Sequence, residues 1–137
     1  MPSPLQGPVM LDRVGLVIEI DGAFYRISKP GFEMLIPRWE GYSPETADEA
    51  DATITLSDGT CRYATFMTLG VVRKIMDRWQ DTGECRNGQY FWCSDLVVIR
   101  EPGFDSMIVA VQDMIATGEI ENACGVLPPL DEEDVDQ

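Results

Sequence analysis

Three Asp-Gly or Asn-Gly pairs, each beside sequence of strand character, constrain this chain more than any other feature: Asp21-Gly22, Asp58-Gly59 and Asn87-Gly88. Such pairs favour the tight turns that fold a strand back on its neighbour, because these residues tolerate positive φ. The first is flanked by VGLVIEI (14–20) and AFYRIS (23–28). Alternation there sets Val14, Leu16, Ile18 and Ile20 on one face, with Val17 and Glu19 on the other. ATITLS (52–57) and TCRYATFM (60–67) flank the second, with Ile54 and Leu56 on one face and Thr53 and Thr55 on the other. The third leads into QYFWC (89–93) and then DLVVIR (95–100), and reads as another hairpin or a helix-to-strand turn.

Two longer segments have helical spacing. Thr68 is a good N-cap for LGVVRKIMDRWQDT, which Gly83 ends. Its apolar stripe is Val71, Val72, Ile75, Met76 and Trp79. Asp105 can cap SMIVAVQDMIAT, which Gly118 ends, with Met107, Ile108, Val111, Met114 and Ile115 as its stripe. A further turn or two, EIENAC, follows. Between the first two hairpins, KPGFEMLIPRWEGYSPETADEAD (29–51) reads as irregular. Within it, Ser43 and Pro44 can start a short helix that ends near Ala50.

The resulting order, β-β-(short α)-β-β-α-β-β-α-α, predicts the α+β class. The expected architecture is an antiparallel sheet of about six strands built from hairpins, with two main helices packed on one face. A chain of 137 residues fits one domain, over 1–130, followed by an acidic flexible tail, DEEDVDQ, at 131–137.

Charge narrows the function classes. Twenty-four acidic residues face ten basic ones, a net charge of −14 at pH 7. Residues 101–137 hold ten of the acids and no base, and Trp39 to Cys61 is a second base-free window. That field repels nucleic acid and anionic membrane and attracts basic proteins. Direct nucleic-acid and membrane binding are therefore disfavoured. The longest apolar runs, such as Leu96 to Ile99, are far short of a membrane span, and MPSPLQGPVMLDR has no secretory pattern. A cytoplasmic protein with reduced cysteines is expected.

Signatures of catalysis are missing. The chain has no histidine, the commonest general base. Cys85 and Cys93 are too far apart for a C-x2-C pair, and Cys61 and Cys124 are isolated, so no metal site is expected. If Asn87-Gly88 makes a hairpin, Cys93 lies beyond the reach of Cys85. No phosphate loop, dinucleotide fingerprint or nucleophile elbow occurs, and ETADEAD lacks the pattern of a calcium loop. The chain is read as non-enzymatic, with no catalytic residue and no cofactor.

A compact acidic chain of this kind is expected to act by binding. In size, charge and layout it resembles immunity proteins of bacterial toxin systems, which implies an inhibitor that covers the active site of a basic toxin or nuclease. Two alternatives share the physics: a nucleic-acid mimic of the phage type that occupies a DNA- or RNA-processing complex, and a small acidic secretion chaperone. A homodimer stays open. Three patches are candidates for partner binding: Glu45, Asp48, Glu49 and Asp51; Asp113, Glu119 and Glu121; and the anchors Tyr90 and Trp92. The competing readings are a solvated acidic surface and aromatics packed on both sides of a covered strand.

Overall fold

A computed structural model describes residues 9–11 and 17–127. Along the chain run β1 (Val9–Leu11), β2 (Val17–Asp21), β3 (Phe24–Lys29), β4 (Phe32–Pro37), β5 (Glu49–Leu56) and β6 (Cys61–Thr68). Then come α1 (Leu69–Thr82), α2 (Glu84–Gly88), β7 (Leu96–Ile99), α3 (Phe104–Thr117), α4 (Ile120–Ala123) and β8 (Gly125–Val126). The class is α+β, as the alternation of hairpins and helices predicts. Residues 131–137, expected as a tail, lie outside the described residues, as do Val14 and Leu16.

β1 to β7 lie side by side in chain order, a meander in which each pair up to β5–β6 is antiparallel. β7 is the exception and runs parallel to the second half of β6, from Thr65↔Leu96 to Thr68↔Ile99. A tight turn cannot make a parallel pair; the chain needs the crossover through α1 and α2 to return to the same end. β8 completes that edge by pairing with the first half of β6 at Arg62↔Val126 and Tyr63↔Gly125.

The turn chemistry places the hairpins well, with shifts of register. Asp21 pairs with Phe24, so the first turn is Gly22-Ala23, with Gly22 at φ 63° in the first central position. The second turn is longer than two residues: Thr55 pairs with Cys61, and the Leu56 amide donates to the Thr60 carbonyl at 2.8 Å.

Three expectations are corrected. The segment after the first hairpin is not irregular throughout. Pro30-Gly31 turns the chain, and β4 follows with Phe32, Met34 and Ile36 buried. The short helix from Ser43 to Ala50 is absent. Ser43 Oγ accepts from the Glu45 amide at 3.2 Å and makes a single turn, after which β5 takes the chain from Glu49. Ala47 and Pro44 offer their carbonyls to the Gly103 and Phe104 amides, so tertiary bonds at the start of α3 replace helical ones.

Nor is Asn87-Gly88 a hairpin turn. Cys85, Arg86 and Asn87 all lie in the left-handed region, at φ 50°, 55° and 59°, and QYFWC is not a strand. Gly88 explains the choice: a Cβ there would overlap the Met76 carbonyl oxygen, so the turn is pressed against the backbone of α1. A hairpin would have carried the chain away from that contact.

One sheet face holds the core. Ile27, Met34, Ile36, Ala52, Ile54, Ala64 and Phe66 meet Phe104, Met107, Ile108 and Val111 of α3, with Ile120 of α4 and Cys124 closing one end. Fully burying one such large side chain stabilises by about 1.5–3 kcal/mol. α3 starts one residue before Asp105, with Gly103 at its N-cap, while its stripe is as read from sequence. α1 has the expected cap, Thr68 Oγ1 accepting from the Val71 amide, and the expected Gly83 end, yet it buries only Val71. Among the described residues, no helix is long and apolar enough to cross a membrane.

Candidate functional site

The second sheet face follows from the same alternation. Register sets Glu49 beside Met67, Asp51 beside Thr65, and Thr53 beside Tyr63, so these side chains share the face turned away from the core. At its β5–β6 end, Trp39, Glu49, Asp51, Tyr63, Thr65, Met67 and Cys93 line a concavity of about 330 Å³. Cys93 and Ser94 come from the return loop that precedes β7, where the Asp95 carbonyl accepts from the Thr65 amide at 2.9 Å.

Each wall is held in place. Trp39, half exposed, stacks on Tyr42 with ring centroids 4.0 Å apart and planes at 28°. Tyr42 packs against the core, tilted toward Phe104 at 5.9 Å, and its hydroxyl donates to the Glu49 carbonyl at 2.5 Å. Asp51 accepts from the Thr65 hydroxyl at 3.2 Å, and Thr65 is itself buried. Arg38, the base nearest in sequence, turns away: its guanidinium donates to the Gly22 carbonyl and lies 5.7 Å over the Tyr25 ring. Among the described residues, no lysine or arginine lines the concavity.

The local field is negative. Burial, reinforced by Glu49, Asp51 and Asp48, holds the Tyr42 phenol well above its ordinary pKa. The Tyr63 phenol is also raised, first by burial and then by the Asp51 carboxylate. Among the described residues, every ion pair converges on Arg26, which meets Glu19, Asp21 and Glu33 farther along the sheet.

Of the residues picked from sequence, the structure brings Glu49 and Asp51 together in the concavity. Glu45 is exposed on the turn before β5. Asp48 is half buried, with its carbonyl accepting from the Thr68 amide at 3.0 Å. Asp113, Glu119 and Glu121 are exposed on α3, the following turn and α4, outside the concavity. Tyr90 and Trp92 are 52% and 69% exposed on an irregular segment, while Phe91 between them stacks on Trp79 at 5.5 Å.

Trp39 and Tyr63 were missed. Tyr63 carried a signal, because strand alternation sets it with Thr65 and Met67 opposite the apolar Ala64 and Phe66. Trp39, in a loop, carried none. A larger concavity of about 520 Å³ lies between β7 and α3, with Val98, Arg100, Glu101, Asp105 and Val109 in its lining. Comparisons with protein-family models, with curated proteins and with solved structures found no match to this chain.

Proposed function

We propose that this chain is a non-catalytic acidic binding module that neutralises a basic protein, a toxin or nuclease, as an immunity protein or inhibitor does. One observation carries the reading: the acids of the candidate patches have no cationic partner among the described residues. Among the described residues, no ion pair reaches Glu45, Asp48, Glu49, Asp51, Asp113, Glu119 or Glu121. Their mutual repulsion costs the folded chain something, and a cationic surface placed against them relieves it. Carboxylates displayed this way stand where phosphates would lie on a nuclease, and steering by charge gives the fast association that an antidote requires. Exposed Tyr90 and Trp92 supply apolar anchors of the kind that lengthen a complex's lifetime.

The test is affinity capture from the producing cells at low and high salt, using the wild type and a Glu45→Lys/Glu49→Lys variant. Both side chains are exposed, so the variant keeps its melting temperature. The expected result is a basic protein retained by the wild type, released by salt and lost by the variant, whose activity the purified wild type blocks. Capture of an intact nucleic-acid-processing complex instead would move the reading to mimicry. No basic partner at either salt would end it.

A further inference from the structure

We propose that the concavity between Trp39, Glu49, Asp51 and Tyr63 receives the guanidinium of one arginine side chain from the basic protein partner, an inference that rests on the partner-binding reading above. Charge complementarity sets the sign of the occupant. Two carboxylates open onto the space, no basic side chain among the described residues lines it, and Arg38 is engaged elsewhere.

The walls set the chemistry. A metal ion would need several oxygen or sulfur donors at one point. Among the described residues, no group of three or more histidine, cysteine or acidic side chains could hold one. An organic cation needs less: aromatic faces and one or two acceptors. Trp39 and Tyr63 supply the faces, and Glu49 and Asp51 the acceptors. Arginine suits this combination better than lysine. Its flat guanidinium stacks on an indole while its five donors reach two carboxylates, whereas an ammonium is a compact, strongly hydrated point charge.

Preorganisation favours binding as well. Trp39 is already stacked on core-packed Tyr42, and Asp51 is already held by the Thr65 hydroxyl, so little further ordering is needed. The volume of about 330 Å³ accommodates one long side chain and leaves no room for a folded segment.

The probes are the peptides acetyl-(Gly-Arg)3-amide and acetyl-(Gly-Lys)3-amide, titrated into the full chain at low salt and followed by backbone and indole NMR shifts. The expected shifts centre on the Trp39 indole, Glu49 to Asp51 and Tyr63, with the arginine peptide binding several-fold tighter. Trp39→Leu, which keeps apolar bulk, and Glu49→Gln/Asp51→Asn each weaken binding by about tenfold. Asp113→Asn/Glu119→Gln, the same change of charge on the helices, weakens it by less than about twofold. Melting curves establish that each variant is folded. Equal losses in both charge pairs, or no preference for arginine over lysine, would overturn the proposal by reducing it to a diffuse field. A basic partner captured by the wild type and held equally by Trp39→Leu would sink this inference and leave the proposed function standing. A peptide preference for arginine at Trp39 with no basic partner in cells would end the proposed function and overturn the assignment of the arginine to such a partner, while the peptide data keep the arginine-selective chemistry of the concavity.

Discussion

Gly88 is the residue on which the path of the chain after α1 depends. Its φ of 78° and its contact with the Met76 carbonyl both require the missing side chain. The three residues before it adopt the same left-handed backbone at a cost of about 1–2 kcal/mol each, held there by the closing contact on α1 and the Phe91–Trp79 stack. Gly88→Ala is therefore expected to destabilise the chain by about 2–4 kcal/mol in denaturant melts. Gly22→Ala is the control, because its Cβ would meet open space and only the backbone strain of about 1 kcal/mol applies. Equal losses at the two positions would mean that the turn is not pressed on α1. The pair Asn87-Gly88 signalled positive φ in the sequence, correctly. Whether that φ served a hairpin or a left-handed turn depended on Met76, eleven positions earlier than Asn87, which no local reading includes.

At the scale of elements, α1 and α3 have the same length and comparable stripes but different burdens. α3 places Phe104, Met107, Ile108 and Val111 in the core, and α1 places Val71 alone among its buried residues. Amides of α1 are accordingly expected to exchange with solvent through openings of lower free energy than those of α3 and β5. Val111→Ala should cost about 1–3 kcal/mol, and Val72→Ala less than half as much. Indistinguishable protection in the two helices would refute this ordering. Both helices could be read from their caps and spacing, whereas their burial could not, since an amphipathic stripe states a preference and not the surface that satisfies it. β4 was legible as well: Pro30-Gly31 followed by Phe32, Met34 and Ile36 has the turn and the alternation.

For the whole molecule, the alkaline limb of stability tests how burial, with the carboxylates beside it, holds its phenols and thiol protonated. Unfolded, the Tyr42 phenol titrates near about 10; folded, burial and the neighbouring carboxylates keep it protonated to higher pH. The unfolded chain thus loses its proton first. The contribution is complete below about pH 10 and falls as the pH rises toward the folded value. Tyr63 and Cys124, whose pKa values burial also raises, act in the same direction. Tyr42→Phe forfeits the hydroxyl bond to the Glu49 carbonyl, about 1 kcal/mol at neutral pH, and that deficit is expected to close above about pH 10. A deficit that stays constant from neutral to strongly alkaline pH would show that burial and the neighbouring carboxylates do not hold the Tyr42 phenol protonated.

Turn pairs, strand alternation, caps and charge counts are local or additive, and from them the sequence by itself determined the α+β class, the β2–β3 and β5–β6 hairpins, both long helices and the acidity. Which acids meet was a tertiary decision. Glu49 and Asp51 became part of one concavity because β5 pairs with β6 in a register that sets them beside Tyr63, Thr65 and Met67. Trp39 joined them because Tyr42, anchored on the core and on Glu49, holds its ring there. Such contacts depend on distances between residues far apart in the chain, and only the packed sheet supplies those distances.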